Sequence, residues 1–85
     1  MKTWILPVNG EMCRVVMERD TLDVWVNGSK AETAGEFTDE GTETHFAVNG
    51  SPAHIRAVSS GDRRKGMVHQ LIMEESVVPE YIEKP

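Results

Sequence analysis

The residues of this 85-residue chain whose chemistry and spacing come nearest to a metal site are two histidines, His45 and His54. If residues 49–50 form a two-residue turn, the two imidazoles lie directly opposite each other on neighbouring strands. Such a pair could chelate a transition metal with a third ligand from elsewhere. Because the same face next offers Glu43 and Arg56, and no further Cys or His motif supports a site, we expect a solvated histidine pair and no metal or other cofactor.

Nucleophile and base residues do not combine here into a recognisable catalytic motif. His69 with Ser59 or Ser60 lacks the Gly-x-Ser-x-Gly context of a hydrolase nucleophile. Residues 61–66 have the glycine spacing that opens a phosphate-binding loop, but an apolar pair follows where that motif needs Lys and Ser or Thr. We therefore expect no enzyme and no catalytic residue.

The same segment is a compact basic loop on an acidic chain, which has 14 acidic and 9 basic residues and a net charge of −5. Loops often carry binding residues, so Arg63, Arg64 and Lys65 are candidates for docking an acidic protein partner. The simpler interpretation is a solvated turn. The negative charge balance argues against a nucleic-acid partner, since phosphate neutralisation requires a basic surface.

Two other features could bind ligands. Trp25 is predicted to face outward, where it could stack on a sugar, although burial is the commoner fate of tryptophan. Residues 36–43 hold four acids, Glu36, Asp39, Glu40 and Glu43, without the loop spacing that calcium requires. A solvated acidic loop is the simpler interpretation of that segment.

Three Asn-Gly pairs, at residues 9–10, 27–28 and 49–50, predict the elements that must position these side chains. Asn and Gly both tolerate positive φ, which a two-residue type I′ turn requires at both central positions. The alternation of apolar and polar residues predicts the same strand register as the turns do. This agreement is stronger evidence for the register than either signal alone. The predicted opposite pairs include Leu6 with Cys13, Val24 with Ala31, Trp25 with Lys30, and Phe46 with Ala53.

Two details of these hairpins are less regular. The second hairpin is predicted to continue beyond Val24, with Leu22 opposite Thr33 and with Asp23 opposite Glu32 as an unfavourable like-charge pair. Pro52, beside the third turn, predicts a loop wider than two residues.

The turn spacing predicts an all-β fold, an antiparallel β-sandwich of seven to eight short strands joined by hairpins, with no helix. Further strands are expected at residues 35–38, at 67–73, whose inward side the pattern does not identify, and at the edge within 77–82. A single domain over residues 2–82 leaves 83–85 as a C-terminal tail. The expected core is Trp4, Leu6, Val15, Met17, Leu22, Val24, Phe46, Val48, Ile55 and Ala57. Cys13 is expected to point inward beside Leu6, as a small buried apolar residue.

Cys13 is the only cysteine of the chain, so no intramolecular disulfide can form and a reducing compartment is favoured. No signal peptide is recognisable, and no segment approaches the roughly 18 apolar residues of a membrane span. We expect a cytoplasmic protein without membrane contact.

Several segments together resemble one family. They are Asp23-Val24-Trp25, residues 32–37, residues 39–46 with Gly-Thr-Glu-Thr-His-Phe, and residues 57–61. In these segments, and from about Thr3 to Glu80, the chain resembles the C-terminal domain of the Fas apoptotic inhibitory molecule family. The resemblance implies a β-sandwich, a preceding homologous N-terminal domain, and roles in protection from death-receptor apoptosis, in neurite outgrowth signalling and in restraint of protein aggregation. It implies no catalytic residue and no cofactor.

These observations predict a non-enzymatic interaction domain of an apoptosis inhibitor that acts on Fas signalling through protein partners in apoptotic or survival signalling. The alternative is a holdase-like domain that restrains protein aggregation through its sheet edges and exposed apolar side chains.

Overall fold

The structure, a computed structural model, describes residues 1–62, 64 and 66–82. These residues form nine β-strands and no helix, which confirms the predicted all-β fold. The predicted tail at 83–85 lies outside the described residues. The strands are β1 (Lys2–Val8), β2 (Glu11–Met17), β3 (Val24–Val26), β4 (Ser29–Lys30), β5 (Ala34–Thr38), β6 (Gly41–Val48), β7 (Ser51–Ser59), β8 (Met67–Met73) and β9 (Ser76–Val78).

The strands form two antiparallel sheets that pack face to face as a β-sandwich. The N-terminal sheet has the order β1-β2-β3-β4 and the C-terminal sheet the order β5-β6-β7-β8-β9. Each sheet is therefore a simple meander, and the chain changes sheets once among the described strands, between β4 and β5. None of the described residues belongs to a helix that could cross a membrane.

The three Asn-Gly pairs form the turns that the sequence predicts. Asn9, Asn27 and Asn49 have φ of 51°, 52° and 48°, and the glycine after each has φ of 83°, 85° and 81°. Pro52 pairs with Ala47, so the third loop is two residues wide and the expectation of a wider loop was wrong. Proline is tolerated there because β8 pairs with β7 only from His54 onward, so no neighbouring strand needs the missing N–H.

The second hairpin is shorter than predicted. β3 begins at Val24, and residues 22–23 do not pair with residues 32–33. Two backbone hydrogen bonds close the preceding loop instead, from Glu18 N to Asp23 O at 2.9 Å and from Leu22 N to Glu18 O at 2.8 Å. Leu22 has a φ of 61° and is 37% exposed, so its assignment to the core was wrong.

The core lies between the two sheets and confirms the other predicted core residues. Trp4 is its largest fully buried side chain, and Cys13 is fully buried as expected. On β8 the pairing with β7 and β9 turns Leu71 and Met73 inward, which the sequence pattern did not identify. The buried apolar residues are Trp4, Leu6, Val8, Cys13, Val15, Met17, Val24, Phe46, Val48, Ala53, Ile55, Ala57, Leu71 and Met73.

The C-terminal segment joins the two sheets. The edge strand expected within residues 77–82 is split: β9 pairs with β8, and Tyr81 pairs separately with Thr3 on β1. Tyr81 N donates a hydrogen bond to Thr3 O at 2.8 Å, and an ion pair of 3.0 Å joins Lys2 to Glu80. Residues 80–81 therefore cover part of the exposed edge of β1.

Candidate functional site

One end of the sandwich is open because the N-terminal sheet does not reach across the whole inner face of the C-terminal sheet. Strand register places Phe37 of β5 opposite Thr42 of β6, and Thr42 opposite Ala57 of β7. Ala57 is buried, whereas Phe37, on the same face two strands away, is 91% exposed. The inner face of the sheet thus continues beyond its cover as an accessible surface.

A cleft of about 640 Å³ occupies this open end. The loop between β2 and β3 forms one wall, and the beginnings of β6 and β8 form the other. A smaller cleft of about 220 Å³ continues towards β5 and shares Leu22 and Thr42 with the first. The larger cleft is lined by Met1, Glu18, Arg19, Asp20, Leu22, Thr42, Ala57, Gly66, Met67 and His69.

His69 is the histidine among the residues that line this cleft. It lies on the inner face of β8, half-buried, and its Nδ1 is buried without a hydrogen-bond partner. Burial, with smaller contributions from the cations Lys2 and Arg19, lowers the pKa of His69 from its ordinary value of 6.5. The neutral imidazole is therefore favoured in the folded chain.

Of the two serines that sequence reasoning considered with His69, Ser59 is the last residue of β7 and Ser60 begins the loop between β7 and β8. Ser60 Oγ lies 2.9 Å from Gly66 O and donates to it, closing the loop, and Gly66 N donates to Asp62 O at 3.0 Å. The Ser60 hydroxyl is thus engaged with the loop backbone, which favours the interpretation of an ordinary loop serine.

The predicted docking residues belong to this same loop. Arg64 is exposed, and its backbone N–H donates to Asp62 Oδ1 at 2.9 Å. Arg63 and Lys65 lie outside the described residues. The loop ends at Gly66, which lines the larger cleft, so the predicted basic segment and the cleft adjoin each other.

The predicted His45–His54 pair forms on the outer face of the C-terminal sheet. The two residues are opposite each other on β6 and β7, with ring centroids 5.1 Å apart. His45 Nε2 lies 3.2 Å from Glu43 Oε1 and 3.4 Å from Glu36 Oε2. Sequence reasoning placed Glu43 on this face but did not find Glu36, because β5 had no predicted register to bring it there.

The structure also places Trp25 and the acidic segment 36–43, the two other candidate ligand-binding features of the sequence. Trp25 is half-buried and lies opposite Lys30, as its turn predicts, and Lys30 Nζ lies 3.5 Å from Asp23 Oδ1. The acidic segment contributes Glu40, which forms an ion pair with Arg56 on β7. Sugar binding by Trp25 stays a prediction.

The described strands define the class of the protein as a small antiparallel β-sandwich that is built from two meanders and is open at one end. A sequence profile described as Fas apoptotic inhibitory molecule (FAIM1) matches residues 1–81, and the chain belongs to that family. The chain is similar to the proteins named Fas apoptotic inhibitory molecule 1 from Rattus norvegicus and Mus musculus, with 56% identity over 78 residues to each. The Homo sapiens protein of the same name is 53% identical over 78 residues.

These alignments cover most of this chain but less than half of the relatives. Each spans 92% of the chain, against 39% of the rat protein and 44% of the mouse and human proteins. The relatives therefore contain sequence outside the matched segment, and the activity of a whole relative does not transfer directly to this domain.

Proposed function

We propose that this chain is a non-enzymatic interaction domain of an inhibitor of Fas-triggered apoptosis and that it acts in the cytosol through protein contacts. The observation that carries the proposal is the family match over residues 1–81, with relatives of 53–56% identity named for inhibition of Fas apoptosis. The single cysteine, which is buried, is compatible with a reducing compartment. We include a preceding homologous domain in the proposal, because the relatives extend beyond the matched segment.

The proposed contact surface is the open end of the sandwich with the basic loop beside it. Leu22, Phe37 and Met67 present apolar surface there, with exposures of 37%, 91% and 43%. Apolar surface bordered by charged side chains is typical of protein-binding sites. An acidic partner would be attracted by the loop that holds Arg64.

Cell death triggered through Fas provides the direct test. Caspase activation would be measured after receptor stimulation in cells that express the chain alone, the chain fused after the N-terminal region of the mouse relative, or neither. We expect the fusion to lower caspase activation, and comparison with the chain alone tells whether this domain is sufficient. Equal activation in all three would contradict the proposal.

Charge reversal tests the loop separately from the role in apoptosis. We expect the combined substitutions Arg63→Glu, Arg64→Glu and Lys65→Glu to weaken partner capture in a pull-down from cytosol at least several-fold, since attraction becomes repulsion. Arg14→Glu reverses an exposed charge on β2 and serves as the control. Unchanged capture by the triple variant would remove the loop from the contact surface.

A second candidate function, restraint of protein aggregation, is favoured by strand β5. β5 is at the end of its sheet, none of its residues is buried, and it carries the exposed Phe37. An unpaired edge with an apolar side chain can pair with aggregating chains. Phe37→Ser should reduce suppression of light scattering by a destabilised client, whereas Met12→Ser, which removes a 66% exposed side chain from the other sheet, should not. Equal suppression by both variants would count against β5.

A further inference from the structure

We propose that Glu43, His45 and His54, on the outer face of the C-terminal sheet, bind a divalent transition-metal ion of the Zn²⁺ type, with Glu36 as a fourth ligand. None of these four residues lines the larger cleft, which lies on the inner face, although Glu36 and Glu43 also line the smaller cleft. Its four side chains come from three adjacent strands, β5, β6 and β7.

Strand pairing brings these side chains together. Glu36 is opposite Glu43, and His45 is opposite His54, in the antiparallel ladders that join β5, β6 and β7. Glu43 and His45 are two residues apart on β6, so their side chains leave the same face of the sheet. Strand β6 therefore supplies Glu43 as a third ligand beside the histidine pair, and β5 brings Glu36 next to it.

Two distances around His45 match those between ligands of a tetrahedral ion. Metal bonds of about 2.1 Å in tetrahedral geometry place neighbouring ligand atoms about 3.4 Å apart. His45 Nε2 is 3.4 Å from Glu36 Oε2 and 3.2 Å from Glu43 Oε1. One ligand atom from each of Glu43, His45 and His54 lies within 4.8 Å of the others, so these three side chains have to draw closer together when an ion binds.

The electrostatics of the cluster also favour a cation. Like charges directly opposite in a sheet destabilise it, and Glu36 and Glu43 are such a pair. Arg56 is opposite Glu43, but its guanidinium forms an ion pair with Glu40. His45 Nε2 is itself buried and has no hydrogen bond of good geometry, although two carboxylates lie near it. A divalent ion would bind this nitrogen and neutralise both carboxylates.

Titration of the 85-residue chain with Zn²⁺, after removal of metal by a chelator, tests the site. We expect saturable 1:1 binding by calorimetry, a tetrahedral ligand-field spectrum with Co²⁺ as the probe, and shifts of the His45 and His54 ring signals by NMR. His54→Gln and Glu43→Gln should each weaken Zn²⁺ affinity at least tenfold. His69→Gln, which changes a histidine on the opposite face, should leave the affinity unchanged.

Thermal unfolding of each variant without metal establishes that it is folded before titration. A rise of the melting temperature with Zn²⁺ in the wild type, absent in His54→Gln and Glu43→Gln, would support the site. The proposal is overturned if the wild type shows no saturable binding at millimolar Zn²⁺. It is equally overturned if both substituted chains bind as tightly as the wild type, or if His69→Gln alone abolishes binding.

Discussion

Asn9 and Asn49, at the tips of hairpins in different sheets, each donate a side-chain hydrogen bond to the hairpin that contains the other. Asn9 Nδ2 donates to Asn49 O at 3.0 Å, and Asn49 Nδ2 donates to Val8 O at 2.9 Å. Both asparagines also supply the positive φ of their turns. The same side chains therefore form the turns and connect the two sheets at this end of the sandwich.

A double-mutant cycle should detect this connection. Asn9→Gly and Asn49→Gly retain positive φ but remove the amide donors, so each should lower the free energy of unfolding by about 1 kcal/mol. Because the two side chains share one network, the double variant should lose less than the sum of the two single losses, as measured by urea unfolding. Strict additivity would show that the two turns are energetically independent.

Gly41 is predicted to be the glycine least tolerant of substitution. A Cβ at Gly41 would lie 1.9 Å from the backbone oxygen of Ala57, so β6 and β7 would have to separate. We expect Gly41→Ala to lower the free energy of unfolding by about 2–3 kcal/mol.

Gly35 provides the matched control, because a Cβ there meets nothing within 4 Å. Gly35→Ala on β5 should change stability by no more than about 0.5 kcal/mol. Similar urea midpoints for the two alanine variants would contradict the close approach of β6 to β7.

Substitutions in the turn between β8 and β9 should raise the stability of the chain. Glu74 and Glu75 have φ of 51° and 65°, a conformation that costs most L residues about 1 kcal/mol. Glu74→Asn combined with Glu75→Gly recreates the Asn-Gly pair of the other hairpins and should raise the free energy of unfolding by about 1 kcal/mol. Glu74→Gln with Glu75→Gln changes the same charge without the turn preference. An equal gain in that control would assign the effect to charge.

His69 should make stability depend on pH. Its pKa is lowered in the folded chain, mainly by burial, so the unfolded chain binds the proton at higher pH than the folded chain does. Stability should therefore decrease as pH falls through 6.5 towards the lowered value, and this contribution is retained above pH 6.5. Urea unfolding between pH 7.5 and 5.5 should show a smaller decrease for His69→Gln than for the wild type.

Arg19→Gln separates the two causes of this pKa shift. It removes one of the cations that lower the pKa of His69 but leaves the burial of the ring. Its pH dependence should therefore lie between those of the wild type and His69→Gln. If His69→Gln kept the full wild-type decrease, other groups would have to be responsible.

The hairpin registers were predictable because the Asn-Gly turns and the hydrophobic alternation are local signals that agree. Leu22 was misassigned for a related reason: alternation continues through it, but the hydrogen bonds of Glu18 with Asp23 and Leu22 end the strand first. Residues 67–73 were ambiguous because both faces of that strand are apolar, and only its pairing with β7 and β9 turns Leu71 and Met73 inward.

The sequence by itself determined the all-β class, the three tight turns, most of the core and the position of His45 opposite His54. Each of these features depends on residues that are close in the chain, or on the alternation of side chains between the two faces of a strand. Its resemblance to one family was equally readable. Tertiary structure alone decided that the inner face near Phe37 stays uncovered, that Glu36 joins the histidines, and that Asn9 and Asn49 connect the sheets. The position of Glu36 depends on the register of β5 against β6, which the sequence pattern did not give. The other two relationships join residues from different sheets, so they depend on how the sheets stack, which no local pattern specifies.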